Sequence, residues 1–328
     1  MRILDVLLVG EYGLGHQNHQ RDMYAPAFEA HPGFRVTGRT EADDPLDRPD
    51  ADVVSVCVPY ERRVEVVTRA LRAGKHVLVD KPMALTAAEC ARIAEAAAGT
   101  GLVCLPAHHQ RFQPAVRVAR EAIAAGKVGL PWNVQADFLV AGGGSVWPLG
   151  ELLNFAPYAT DAIHAMTALP VTAVYATGGP RFQNAPAQDA TSQDGRFQDG
   201  PSQDGPEDLV TLCLTHERGM TSTVVAGRTP AMPGASGLSL HRYRVAGSHG
   251  TLLADANRPA ARVLTTTGTP RGTWAGPSTV DRMLTELHIA VVTGRPAELG
   301  PADAVAALRV VEAARRSMAS GQVEEVLP

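Results

Sequence analysis

The chain has 328 residues, 30 Lys and Arg against 34 Asp and Glu for a formal net charge of −4, and 45% hydrophobic content. That length suits two packed domains rather than one core, and weak, dispersed charge without basic clusters among aromatics argues against nucleic acid as a partner. The opening residues read straight into a strand without a signal-peptide pattern, and no apolar run approaches the ~18 residues of a bilayer span, so a cytoplasmic protein is expected.

The first element, "DVLLVGEYGLGHQNHQ" (residues 5–20), runs an apolar strand into glycines and then a helix. In that setting glycines let the backbone approach a pyrophosphate held at a helix N-terminus. Gly10, Gly13 and Gly15, with Leu14 between the last two, are the candidate cofactor-loop residues. The middle glycine of the pattern would fall where Tyr12 stands, and a Cβ there crowds a standard pyrophosphate pose. The loop is displaced, or the ring stacks over the cofactor, or the site is empty. His16 is a surface histidine or an added phosphate donor.

A helix over 17–30 leads to the strand "FRVTGR". For an NAD ribose this strand should end in an acidic residue. It ends in Arg39 and Thr40, and a guanidinium there suits the 2′-phosphate of NADP, which favours NADP over NAD. Asp43 and Asp44 come too late in the following loop.

Next come the strand "ADVVSVCVP", the helix "ERRVEVVTRALRAG", the strand "HVLVD", the helix "TAAECARIAEAAAGTG" and the strand "LVCLPA". Apolar runs without polar alternation, separated by helices, predict a doubly wound parallel sheet buried on both faces. Cys57, Cys90, Cys104 and Cys213 are scattered without a C-x-x-C, and are expected as buried, reduced thiols rather than a disulfide frame or zinc site. His108 and His109 are neighbours in an extended segment, pointing to opposite faces with no third ligand in sight, so no metal site is expected. The helix in "FQPAVRVAREAIAAGKVG" bridges to a second unit.

From about residue 131 the pattern changes. "WNVQADFLVA", "VTAVYATG", "DLVTLCLTHERGMTSTVVAG", "HRYRVAGSHGTLLAD" and "ARVLTT" alternate and carry hairpin turns, which predicts a large, mostly antiparallel sheet with one open face. Helices are expected near 150–168, 278–293 and 302–320. Residues 183–206, rich in Gln, Asp, Gly and Pro, are expected as a disordered insert between two strands.

The stretch "GKHVLVDKPMALT", with "SVCVP" before it and "HHQRFQPAVRVAREAIAAGKVG" after it, resembles the Gfo/Idh/MocA oxidoreductase family, in the manner of glucose–fructose oxidoreductase and inositol dehydrogenase. "YRVAGSHGTLLAD" and "LRVVEAARRSMASGQ" extend the likeness through most of the chain. The resemblance implies α/β architecture: an N-terminal Rossmann domain over 1–120 binding NAD(P), and a C-terminal α+β domain over 121–328 with a large, mostly antiparallel sheet. It also implies substrate coverage by that second domain and a homodimer or homotetramer through its sheet.

Lys81 lies at the C-terminal end of a buried parallel strand, where ligands of open α/β sheets bind, and Pro82 restricts it to extended backbone. An ammonium there stabilises developing charge on a substrate oxygen; the resemblance gives the matching lysine that role. Asp80 pairs with a cation or caps the turn, and together with Lys81 and Pro59 it belongs to the expected cofactor surround. In "GELLNFAPYATDAIH" the family carries Asp, His and Asp at spacings of four and three; here the positions hold Asn154, Tyr158 and Asp161, on one helix face. Tyr158 is a proton acceptor favoured by a nearby ammonium, as in family members with tyrosine at this place, or it lines the pocket. His164 is a displaced base or a packed helix histidine. By resemblance "PYERR" reaches the nicotinamide region, with Arg63 where histidine is frequent. Arg111 pairs with an acidic residue between domains or reads an anionic substrate.

The expected activity is hydride transfer between nicotinamide and a secondary alcohol or ketone of a sugar, cyclitol or nucleotide sugar. The alternative is a catalytically degenerate member that senses a ligand or binds a partner, with Tyr12 and Asn154 marking lost chemistry.

Overall fold

The computed structural model describes residues 2–13, 18–141, 147–180, 205–229, 240–256, 260–264, 271–273 and 278–327. The expected disordered insert at 183–206, apart from its last two residues, lies outside them. The chain divides into two compact units, one of residues 1–117 and 274–309, the other of 118–273 and 310–328.

The first unit is built on five parallel strands: β1 (Leu4–Val9), β2 (Phe34–Thr40), β3 (Val53–Val56), β4 (His76–Val79) and β5 (Cys104–Pro106). They lie in the order β2-β1-β3-β4-β5. β3 is buried throughout and β1 nearly so, as expected of strands covered by helices on both faces. Those helices include α1 (Ala25–Ala30), α2 (Tyr60–Arg72) and α3 (Ala87–Ala97). The order reverses between β1 and β3, so the loops after these strands diverge there and leave room for a ligand at their C-terminal ends.

α4 (Pro114–Ala124) has residues in both units. α6 (Thr279–Thr293), started by a Ser278–Asp281 capping box, returns to the first unit. Its Met283, Leu284, Leu287 and Ala290 share one core with Leu4, Val6, Phe28 and Phe34. A linear boundary near residue 120 therefore misplaces it, because burial of its apolar face decides the unit and chain order does not.

The second unit carries a nine-stranded sheet. Its strands are β6 (Pro131–Ala141), β7 (Val171–Gly179), β8 (Leu209–His216), β9 (Thr221–Thr229), β10 (Leu240–Gly247), β11 (Gly250–Asp255), β12 (Ala260–Leu264), β13 (Arg271–Thr273) and β14 (Glu324–Glu325). The order is β13-β12-β11-β10-β6-β9-β8-β7-β14, antiparallel except where β6 meets β9. α5 (Glu151–Thr167) packs on β6, β8 and β9. The last helix, α7 (Pro301–Ser320), is shared between the units; its Ser317 hydroxyl accepts the Ala176 N–H of β7 at 2.9 Å.

Alternation along β8 corrects one cysteine. Val210, Leu212 and Leu214 are buried while Cys213 between them is exposed, whereas Cys57, Cys90 and Cys104 are buried thiols. An apolar neighbourhood in sequence does not bury a strand residue whose parity points it outward.

Candidate active site

In the first unit the loop after β1 turns at Gly10, with φ +70°, against the end of β3; a Cβ there would lie 2.9 Å from both the Cys57 carbonyl oxygen and Val58. Tyr12 donates its N–H to Cys57 O at 2.8 Å, and its own carbonyl accepts the Cys57 thiol at 3.3 Å. Its ring stands edge-on to Tyr60, centroids 5.2 Å apart, at the start of α2, for which Pro59 is the N-cap. Gly13 is exposed. Leu14, Gly15 and His16 lie outside the described residues.

Arg39, at the end of β2, is half-exposed and paired with Glu11 at 3.0 Å and Glu29 at 3.4 Å. The first of these carboxylates belongs to the glycine loop. Thr40 and the Glu41 N–H are held by Asp44, and Asp43 pairs with Arg62.

The step Asp80-Lys81-Pro82 follows β4 and contains a cis Lys81–Pro82 peptide bond. Beneath it lies a buried polar cluster that sequence reasoning did not assemble. Arg63, fully buried, donates Nη1 to the carbonyls of Asp80, at 2.9 Å, and Pro82, Nη2 to the Asp80 carboxylate at 2.9 Å, and Nε to Val58 O at 3.0 Å. The other Asp80 oxygen meets His19 Nδ1 at 2.9 Å and accepts from Tyr24 Oη at 2.7 Å. Both carboxylate oxygens of Asp80 are thus engaged inside the unit. Burial opposes the charge, but His19, Arg63 and Tyr24 outweigh it and hold the carboxyl far below the ordinary range.

His19 and Tyr24 reach one oxygen from positions five apart because Gln20–Tyr24 form a π-helical turn, closed by the Ala25 N–H on Gln20 O. An i→i+5 turn brings such residues toward a common face, which 3.6-residue periodicity does not. Downstream, the end of "MALT" is a capping box: Thr86 accepts the Glu89 N–H and Glu89 returns to Thr86 N, which starts α3. Lys81 is half-buried at the strand end.

The "HHQRF" segment forms a short 3₁₀ turn, His109–Phe112. His109 meets Thr279 at 2.9 Å. Arg111 pairs with Asp303 at 2.7 Å and donates to Glu298 O at 2.5 Å. All of these partners belong to the first unit, so the expected inter-domain pairing of Arg111 is an intra-unit one. Among the described residues no group of His, Cys, Asp and Glu could hold a metal ion.

In the second unit α5 begins at Gly150, φ +85°, where the Glu207 carboxyl occupies the space a Cβ would take. Glu207 accepts the Glu151 N–H on its backbone oxygen at 2.8 Å and the Leu152 N–H on its side chain at 3.2 Å, satisfying donors of the first helical turn. Burial raises the Glu207 carboxyl above its usual range. Glu151 is wholly buried; Arg228 Nε donates to it at 2.6 Å, the Trp147 N–H at 3.1 Å and Asn154 Nδ2 at 2.6 Å. The neutral Asn154 is therefore anchored to a buried carboxylate one turn earlier.

Asn154, Tyr158 and Asp161 are all at least nine-tenths buried. The Tyr158 ring stacks on Phe138 of β6, centroids 5.5 Å apart and 25° between planes. Burial lifts the Tyr243 phenol above its ordinary range, and the charge of Asp161 adds to this. His164 is half-buried near the C-terminal end of α5. Pro157 inside the helix removes the N–H that the Leu153 carbonyl would accept.

Two family models match. Residues 17–108 fit the oxidoreductase family's NAD-binding Rossmann fold, and residues 116–253 fit the GFO/IDH/MocA C-terminal domain. The chain is similar to a 1,5-anhydro-D-fructose reductase of Ensifer adhaerens, 39% identical over 92 residues, 28% of each chain. It is also similar to a scyllo-inositol 2-dehydrogenase (NAD(+)) of Bacillus subtilis, 31% identical over 93 residues, 27% of each. The matched stretch spans little more than a quarter of these relatives. A crystal structure of an oxidoreductase domain protein from Kribbella flavida superposes over 100% of both chains with a TM-score of 0.81 at 21% identity, which shows the fold. Together with the β2-β1-β3-β4-β5 parallel sheet and the nine-stranded sheet, these matches establish that the chain belongs to the Gfo/Idh/MocA oxidoreductase family.

Proposed function

We propose that this protein is an NAD(P)-dependent oxidoreductase acting on a secondary alcohol, or the corresponding ketone, of a sugar or cyclitol. The observation that carries the reading is the buried Arg63–Asp80 cluster, which fixes the backbone on both sides of Lys81 at the C-terminal end of β4. So large a buried polar network has no evident purpose at a solvated loop lysine.

The residues present fit a dinucleotide. Gly10 turns the chain at the switch point of the parallel sheet, where open α/β sheets take their ligands. Tyr12 is folded onto Cys57 and Tyr60. Gly10, Gly13 and Arg39 would hold the cofactor, with the Tyr12 backbone and Pro59 shaping its surround. When bound, the nicotinamide supplies the hydride acceptor or donor. The Lys81 ammonium stabilises negative charge developing on the substrate oxygen. Tyr158 Oη takes the proton of the reacting hydroxyl, or returns it in the reducing direction. Asn154, held by Glu151, and Asp161 share the face of α5 that carries Tyr158.

NADP is the preferred cofactor in this reading, with Arg39 exchanging Glu11 for the 2′-phosphate. The names of the relatives, which act on an anhydrosugar and an inositol, support the polyol class. A homo-oligomer forms through the open face of the large sheet, where a groove of about 320 Å³ is lined by Tyr175, Cys213 and Val323. The test is a polyol and keto-sugar screen with NADP and NAD, following nicotinamide absorbance, alongside light scattering for the oligomer.

A further inference from the structure

β10 alternates: His241, Tyr243 and Val245 are buried while Arg242 and Arg244 are exposed. His241 is only 8% exposed. Its ring lies flat on Phe138, its register partner on β6, with centroids 4.1 Å apart and 11° between planes. Phe138 also carries the stacked ring of Tyr158. One phenylalanine therefore supports both the proposed proton acceptor and a second polar ring.

Among the described residues, neither nitrogen of His241 has a hydrogen-bond partner. A neutral imidazole presents one donor and one acceptor, and leaving both buried without partners forfeits their hydration with nothing in return. An apolar ring would stack on Phe138 without that penalty, so an imidazole at this place calls for a ligand. Burial pushes its pKa down to about 4, against the weaker pull of the Asp255 carboxylate. The ring is thus neutral at ordinary pH, a poor match for an anion and a good one for a hydroxyl, which also donates and accepts.

We propose that His241 is a substrate-recognition residue that hydrogen-bonds a hydroxyl of the polyol other than the one being oxidised. This deepens the functional reading above and rests on Tyr158 as the proton acceptor. Its consequence is selectivity: a substrate lacking that hydroxyl leaves the buried imidazole unpaired and is rejected, as at sites built to bond a hydroxyl.

The test compares the full-length wild type with His241→Phe, which keeps a flat ring over Phe138, and His241→Gln, which keeps a donor and an acceptor. For the preferred polyol, His241→Phe should raise KM roughly 10–100-fold with kcat within about threefold and cofactor affinity unchanged. His241→Gln should recover most of the loss, and thermal stability of the Phe variant should be equal or higher. An unchanged KM in folded His241→Phe overturns the proposal. An independent readout uses ¹⁵N-histidine protein with bound NADP, titrated with inositol, xylose and glucose; the His241 ring signal is assigned by its absence in the Phe variant. A shift of that signal supports the proposal even where no turnover occurs, which would count against the oxidoreductase reading alone. No shift at His241 with all three polyols contradicts it.

Discussion

Arg63 donates to the carbonyl oxygens on both sides of Lys81, those of Asp80 and Pro82, while its second terminal nitrogen holds the Asp80 carboxylate. A planar fork with five donors makes this possible, and an ammonium cannot reproduce it. Arg63→Met should destabilise the protein by about 3–5 kcal/mol, since it strands a buried carboxylate. Arg63→Lys should fold and bind nucleotide within about threefold of wild type while losing roughly 100-fold in kcat, the effect of a displaced lysine. Denaturant melts and steady-state kinetics on the two variants check this; an Arg63→Lys enzyme of wild-type kcat would remove Arg63 from the positioning role.

Asp80 sets an acid limit on stability. Its folded pKa is depressed, so the stabilisation it contributes is present above its unfolded pKa, near ~4, and declines as pH falls below that value. Asp80→Asn should be less stable than wild type at neutral pH, and the gap should narrow steadily from about pH 4 downward. Paired melts across that range read the gap directly; a constant difference would mean the carboxylate is not held as described.

His241 acts over a higher window. Its folded value of about 4 lies below the ordinary ~6.5 of histidine, so the unfolded chain binds the proton first as pH falls. Stability is retained above pH ~6.5 and lost down to the folded value, by up to about 3 kcal/mol. His241→Phe should remove that share, leaving a flatter profile between pH 7 and 4.5. Urea midpoints at several pH values decide it.

The doubly wound sheet, the turn at Gly10 and the face shared by Asn154, Tyr158 and Asp161 were readable because each rests on a local period or a short motif. What closes the Lys81 cluster was not. Arg63 in "ERRVEVV" reads as one more charge on an amphipathic helix, and only the tertiary approach of α2 to the end of β4 buries it. His19 and Tyr24 are paired by a π-helical turn, which breaks the period used to find helices. Glu151 and Arg228 meet across α5 and β9 from positions 77 apart in the chain. Alternation alone could have turned His241 inward and Cys213 outward, but the absence of a partner for His241 is visible only in three dimensions.

Glu11 and Arg39 supply a cofactor prediction. Arg39→Ala should weaken NADPH binding roughly tenfold or more and leave NADH nearly unchanged, because only NADPH carries a 2′-phosphate for the guanidinium to meet. Glu11→Gln removes the shorter of the two carboxylate pairings of Arg39, leaving Glu29, and takes away a charge that repels the phosphate, so NADPH binding should tighten by about two- to fivefold, the scale of an exposed ion pair. Fluorescence titration with both nucleotides measures both effects; equal losses for NADH and NADPH in Arg39→Ala would reject Arg39 as the phosphate reader.

The measurement closest to the central claim is nicotinamide reduction by wild type and Lys81→Met across a polyol panel, with nucleotide binding followed on the same samples. The account predicts turnover by wild type on at least one polyol. It predicts a loss of roughly 1,000-fold in Lys81→Met with nucleotide affinity retained, as for removal of one oxyanion-stabilising group. Equal rates in the two proteins, or tight nucleotide binding with no turnover of any polyol or keto-sugar by wild type, would contradict it.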